Sequence, residues 1–238
     1  MDFYQALSQY YDDVFPLKVE QKNFLRRFID LEGIKSVLDV GCGTGSFCLE
    51  ASEWGLTCLG LDLSREMIGI ARRKSEERGS RAEFMQADML DLSSVPGRFD
   101  GVLCLGNTLA HLTTEGQLKQ ALEQFGAKGN NLLIQLVNYD RVLAKKITEL
   151  SEIRTADLVF RRYYRHLENG LIEFSMQLER GTEKTGGVNI LAPLAKEGLE
   201  RAFASTGWKA VSWWGSFSGE VWSPDSPATV VAATFGVE

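Results

Sequence analysis

Three glycines at alternate positions, Gly41, Gly43 and Gly45, follow directly on the apolar run Val37-Leu38-Asp39-Val40. Glycine at such a turn lets a ligand approach bare main chain and permits positive φ. A dinucleotide pyrophosphate would call for G-x-G-x-x-G, but Ser46 holds the third glycine's place, so the spacing is G-x-G-x-G instead. Carboxylates recur around the ends of successive apolar runs. Asp39 can orient the glycine turn and attract a cation. Asp62 closes the run 56–61, where a carboxylate can accept both hydroxyl hydrogens of a ribose. Asp88, in Gln86-Ala87-Asp88-Met89-Leu90, can accept from an adenine amino group while the next amide meets the ring. Any one aspartate is equally a turn former or helix cap. The ordered set of glycines and acids is what points to a nucleoside ligand, and the second acid disfavours a dinucleotide.

Downstream residues offer substrate chemistry. His111 can take a proton or fix its loop. Arg161-Arg162-Tyr163-Tyr164-Arg165 alternates faces on a strand, so Arg161, Tyr163 and Arg165 share one side. One of the arginines there, or Arg141, is a candidate for clamping a substrate carboxylate bidentately; the plainer expectation is a solvated face or pairing with nearby acids. His166 receives no role.

The elements that must hold these residues read as a parallel sheet with crossover helices. Strands are expected at 36–40, 56–61, 82–86, 99–105 and 131–137. A helix over about 44–54 follows the glycines. Ser64 caps a second helix to about Arg78, and Thr114 with Gln117 has capping-box spacing for a third, to about Phe125. After Val137 a helical stretch over 142–150 leads to strand-like runs at 158–166 and 171–178. Glu168-Asn169-Gly170 joins them as a hairpin turn. Residues 180–187 read as a polar, glycine-rich loop. Pro193 opens a helix to about Ser205 that Gly207 ends, and strands at 208–214 and 228–235 close the chain. The whole is one domain, 1–238, with an insertion at 139–190 beside the fifth strand's C-terminal end, the edge where open α/β sheets bind ligands.

Composition narrows the partners. The net charge of −6 offers polyanions no attractive field, so nucleic acid is not the expected substrate. Four cysteines without a C-x-x-C pair, and only two histidines, suggest buried reduced thiols and no metal. No run has the length of a signal peptide or membrane span, so a cytoplasmic protein off the membrane is expected, monomer or homodimer.

VLDVGCGTG, the acidic end of LGLD, QADM and FDGVLCLGN together resemble the Rossmann-fold, class I S-adenosylmethionine-dependent methyltransferases across about residues 36–137. The resemblance implies a Rossmann-like three-layer α-β-α sandwich, its mostly parallel seven-stranded sheet having an antiparallel last strand. It implies S-adenosylmethionine as cofactor and S-adenosylhomocysteine as product. By position, Asp39, Gly41, Cys42, Gly43 and Gly45 would shape the methionine pocket. Asp62 would hold the ribose and Asp88 with Met89 the adenine, with Leu63 and Met67 also binding the cofactor. Leu105, Gly106 and Asn107 would border the methionine moiety and the substrate. LGNTLAHL, VNYD and WSPDSP are similar to glycine and sarcosine N-methyltransferases. That narrower likeness implies a lid made of the N-terminal segment 1–33 and the inserted helix and β-hairpin cap, closing over a small molecule.

Methyl transfer from a sulfonium needs alignment and exclusion of water more than acid–base groups. An amine acceptor must be neutral, which desolvation favours. Tyr4, Tyr10, Tyr11 and Tyr139 are candidates to line its pocket or to pack core and lid; His111 and Asn107 are the catalytic candidates. The reading is a small-molecule methyltransferase with nitrogen preferred as acceptor. Open beside it stand O-, sugar-, RNA- or protein-directed transfer, and a protein that binds the donor without transferring from it.

Overall fold

A computed structural model of the chain describes residues 7–236, except the side chain of Gln9. The chain begins with a 3₁₀ turn, Ser8–Tyr10, and two helices, α1 (Tyr11–Val14) and α2 (Val19–Leu31). There follow β1 (Ser36–Val40), α3 (Ser46–Glu53), β2 (Thr57–Asp62), α4 (Arg65–Arg78), β3 (Glu83–Gln86) and β4 (Phe99–Cys104). A second 3₁₀ turn, Thr108–His111, leads to α5 (Glu115–Lys128), β5 (Gly129–Val137) and α6 (Tyr139–Ala144). The insertion then folds as β6 (Glu149–Arg154), β7 (Val159–His166), β8 (Ile172–Arg180) and β9 (Glu183–Leu191). Last come α7 (Lys196–Thr206), β10 (Trp208–Trp214) and β11 (Ala228–Phe235).

Seven strands form the main sheet in the order β10-β11-β5-β4-β1-β2-β3. β1 lies inside it with parallel partners on both sides, so Val37, Leu38 and Val40, and with them Asp39, are buried. β11 runs antiparallel to both its neighbours, and the other pairings are parallel. Alternate strand residues feed two cores. Val37, Leu103, Leu133 and Val230 pack with α2, α3 and α4. Leu38, Val102, Leu132 and Val231 pack with α5 and α7 on the other face. The result is the expected three-layer Rossmann-like sandwich.

The helix starts follow their caps. Ser64 Oγ accepts from the Met67 amide at 3.3 Å. Thr114 Oγ1 accepts from the Gln117 amide at 3.2 Å, and Gln117 Oε1 reaches back to the amide of Thr113 at 3.0 Å, one residue before the cap.

The insertion departs from the expected two-strand hairpin, being a four-stranded antiparallel sheet in the order β6-β7-β8-β9. The helix read over 142–150 ends at Ala144, because Lys146 turns to φ 47° and the chain enters β6. The loop read over 180–187 is mostly strand: Gly186 and Gly187 pair with Gln177 and Met176 within β9. Ladder pairing there outweighs the weak β propensity of glycine. One face of this cap carries Phe160, Met176 and Leu178, which pack with Leu7 and Val14 of the N-terminal segment. The same face carries Tyr164, Ile172 and Leu191, which join the main core.

Candidate active site

β1 ends in a turn pinned by two bonds to one acceptor: the amides of Gly41 and Cys42 donate to the Leu61 carbonyl at 2.7 and 2.8 Å. Gly41 has φ +77°, and a Cβ there would stand 2.5 Å from Thr108 Cγ2. No side chain fits without displacing the loop after β4. Beside it Gly43 is covered by Tyr11, whose ring would lie 3.1 Å from an added Cβ. The Gly43 amide donates to Asp62 Oδ2 and the Ser64 amide to Asp62 Oδ1, both at 2.9 Å. Backbone amides, that of Leu63 among them, thus fix the carboxylate and still leave lone pairs for a ligand. Burial pushes the Asp62 carboxyl up while these amides hold it down.

The turn borders a cavity of about 540 Å³, within the range of roughly 300–1,000 Å³ usual for small-molecule sites. On one side of the β1 turn its wall is Asp62, Leu63, Met67, Asp88 and Met89; on the other it is Gly106, Thr108 and His111, with Asn189 of β9 and Tyr11 also on the wall. Leu63 is 66% exposed, an apolar side chain left open beside the Asp62 carboxylate, as a platform for a flat ring would be. Asp88 Oδ1 accepts from the Leu90 amide at 2.9 Å, which sets the carboxylate at the end of β3. A bare main-chain turn, an apolar platform and two acids fit an adenosyl group.

Asp39 lies under the turn, 3% exposed and away from the cavity wall, its Oδ2 accepting from Cys48 Sγ at 3.7 Å. Burial raises its pKa to about 7. Cys58 Sγ lies 2.6 Å from Cys48 Sγ, and all four cysteines are free. Among the described residues no group of three or more His, Cys, Asp or Glu is placed to hold a metal. Cys42 and Leu105 also fall outside the cavity lining. The first turns its thiol to the Gly43 carbonyl at 3.6 Å, and the second is buried in the sheet.

The substrate side differs more from expectation. Asn107 adopts φ 69° and spends its side chain on structure: Oδ1 accepts from the Val137 amide at 3.0 Å and Nδ2 donates to the Tyr139 hydroxyl at 2.9 Å. Tyr139 is fully buried and hydrogen-bonds Tyr164 of the cap, so it does not line the cavity. His111 opens onto the cavity, and partial loss of solvent around its ring lowers its pKa. Tyr4 lies outside the described residues.

Arg161 and Arg165 do share one side of β7, but it is the side turned from the cavity. Arg161 pairs with Glu152 at 2.8 Å and Glu179 at 3.0 Å, and Arg165 with Glu173. Arg162, one residue out of phase, shares the inner face with Phe160 and Tyr164. Its Nη2 donates to the Ser151 carbonyl at 2.8 Å, while its Nε, like that of Arg141 and the Nδ2 of Asn189, is buried without a partner. Thr108, Asn189 and Arg162 escaped sequence reasoning. For Arg162 the signal was there in the alternation of β7, whose inward phase only the cap's packing decides; for Asn189 there was none once β9 read as loop.

Residues 37–128 match a sequence family described as a methyltransferase domain. Over those residues the chain is similar to methyltransferases, and its fold is that of the S-adenosylmethionine-dependent ones. The cofactor of such methyltransferases is S-adenosylmethionine. A glycine/sarcosine N-methyltransferase of Parasynechococcus marenigrum is 37% identical over 125 residues, 51% of this chain and 44% of that protein. One from Halorhodospira halochloris is 26% identical over 199 residues, 82% of this chain and 73% of that protein. The chain thus spans less than half of the first relative's length. A solved S-adenosylmethionine-dependent methyltransferase from Clostridium acetobutylicum has the same fold, with a TM-score of 0.84 at 14% identity over 98% of this chain and 99% of that one. Among the described residues no helix is long and apolar enough to cross a membrane.

Proposed function

We propose that the protein methylates the amine nitrogen of a small molecule held between the glycine turn and the inserted sheet. The observation that carries this reading is that Asn189 of the cap and Gly41 of the cofactor turn line one cavity. An acceptor placed between them is covered by the cap, and a polymer would have to pass it. The charge of −6 also gives nucleic acid no attraction.

Bound S-adenosylmethionine supplies a methyl group on a sulfonium. The chain's own residues bind, orient and dry the site. Asp62 holds the ribose, Asp88 and the Met89 amide hold the adenine, and the Gly41–Gly43 main chain leaves room for the methionine. Asn107 acts through the loop: its two bonds fix Gly106 and Thr108 on the cavity wall. His111, with a lowered pKa, is neutral near pH 7 and is placed to accept the proton an amine sheds. Arg162 and Arg141 lie outside the cavity lining, but their buried Nε–H groups still lack an acceptor, and they are the cations proposed to reach an anionic end of the acceptor in place of Arg161 and Arg165.

Incubating the protein with donor and a library of small amines, amino acids among them, tests this by mass spectrometry. A product heavier by one methyl is expected. Donor binding without any methylated product across a broad library would instead favour a binding protein.

A further inference from the structure

Asp12 joins three parts of the chain that are distant in sequence. Its Oδ1 accepts from Thr44 Oγ1 at 2.6 Å and from Ser46 Oγ at 2.8 Å, and its Oδ2 pairs with Lys74 Nζ at 2.6 Å. Thr44 and Ser46 flank the last glycine of the cofactor turn, and Lys74 lies on α4. Lys74 also donates to both hydroxyls, at 3.3 and 3.0 Å, closing a ring of polar groups. Thr44 is 1% exposed and the Lys74 side chain 17%, so those two partners are shielded, while the Asp12 carboxylate, 43% exposed, stays partly open to solvent. These hydrogen bonds hold the Asp12 carboxyl below its ordinary range despite burial.

The neighbouring residue gives the cluster a purpose. Tyr11 covers Gly43 and forms part of the cavity wall, so whatever holds Asp12 holds that ring over the cofactor site. On its other side the same segment grips the cap. Arg180 of β8 donates to the Tyr10 hydroxyl at 2.9 Å, and the Phe15 ring meets Phe160 edge-on at 5.5 Å. The segment 7–15 is therefore a strap between the cofactor turn and the cap. Its cap side is fastened mainly by apolar packing, and its cofactor side by Asp12.

We infer that Asp12 is a positioning residue whose pairing with Lys74 latches this strap across the cofactor cavity and so governs how fast donor and product exchange. The inference rests on the cofactor reading above. With the latch closed, Tyr11 stands over the turn and the site is dry. With it open, Tyr11 can swing away while Asp62, Asp88 and the turn itself stay in place.

The test is the rate at which S-adenosylhomocysteine leaves the protein, measured by displacement in a rapid-mixing instrument. Asp12→Asn keeps an oxygen for the two hydroxyls but loses the charge; Lys74→Gln removes the partner. Each is expected to speed dissociation by about tenfold, and the double variant to be no faster than the faster single one. Lys74→Arg should restore a rate near that of the unaltered protein. The KM for the amine should stay where it was while that for the donor rises. Rates within twofold of the unaltered protein, or accelerations that multiply in the double variant, overturn the latch. So does a lower melting temperature of the ligand-free protein with an unchanged dissociation rate, the mark of a merely structural contact. Failure of the cofactor reading shows itself separately, as no binding by the unaltered protein.

Discussion

The Asn107 side-chain amide donates to the buried hydroxyl of Tyr139 at 2.9 Å, and Tyr139 in turn hydrogen-bonds Tyr164 of the cap. A loop behind β4 is thus tied through the start of α6 to the inserted sheet, so the cavity wall and the cap over it share one string of bonds. Asn107 holds this place with left-handed backbone, at φ 69°. Asn107→Ala should lose both the string and the tolerance of that backbone, at about 1–2 kcal/mol for the latter. Asn107→Gly should spare the backbone and lose only the string. Both variants are expected to fall by about tenfold or more in kcat/KM, with the larger drop in melting temperature for alanine. Full activity in the glycine variant would separate the string from catalysis.

Asp62→Ala should weaken donor affinity by about 1.5–3 kcal/mol, the worth of hydrogen bonds to a charged group. The variant should also loosen the turn, since Asp62 holds the amides of Gly43 and Ser64. Calorimetric titration measures the first effect and thermal melting the second. An unchanged affinity would place the ribose elsewhere.

Asp39 gives stability a pH dependence of definite sign. Its folded pKa, about 7, lies above the ordinary 3.8 because burial disfavours the charge. Between those values the folded chain keeps a proton that the unfolded chain has released, so this residue's contribution is full below pH 3.8 and is lost as pH rises through about 7. The loss amounts to a few kcal/mol at most. Melting of the ligand-free protein from pH 5 to 8 should show a decline that Asp39→Asn lacks. Parallel curves for the two proteins would remove Asp39 from the account.

Arg162→Met keeps the length of the side chain and removes its donors. For an acceptor with an anionic group the KM should rise about tenfold or more, with the donor's KM unmoved. Arg161→Met, on the outer face, should leave both constants alone. Equal effects of the two would argue for stability of the cap as the common cause.

How far the sequence carried the reading follows from where each signal is local. The glycine turn, Asp62 and the caps at Ser64 and Thr114 depend on neighbours within a few residues, and all stand where their spacing placed them. The phase of β7 depends on what its faces meet, and it took Leu7 and Val14, from the far end of the chain, to turn Phe160 and Arg162 inward. β9 was illegible because its two central glycines carry no β signal, while its partner strand supplies the pairing. Asp12 was silent for the same reason: Lys74, its partner, is 62 residues away.

The most direct trial of the central claim is a calorimetric titration of the folded protein with S-adenosylhomocysteine. Saturable binding to one site per chain, weakened by Asp62→Ala, is the expected result. A silent titration of folded material would contradict the account.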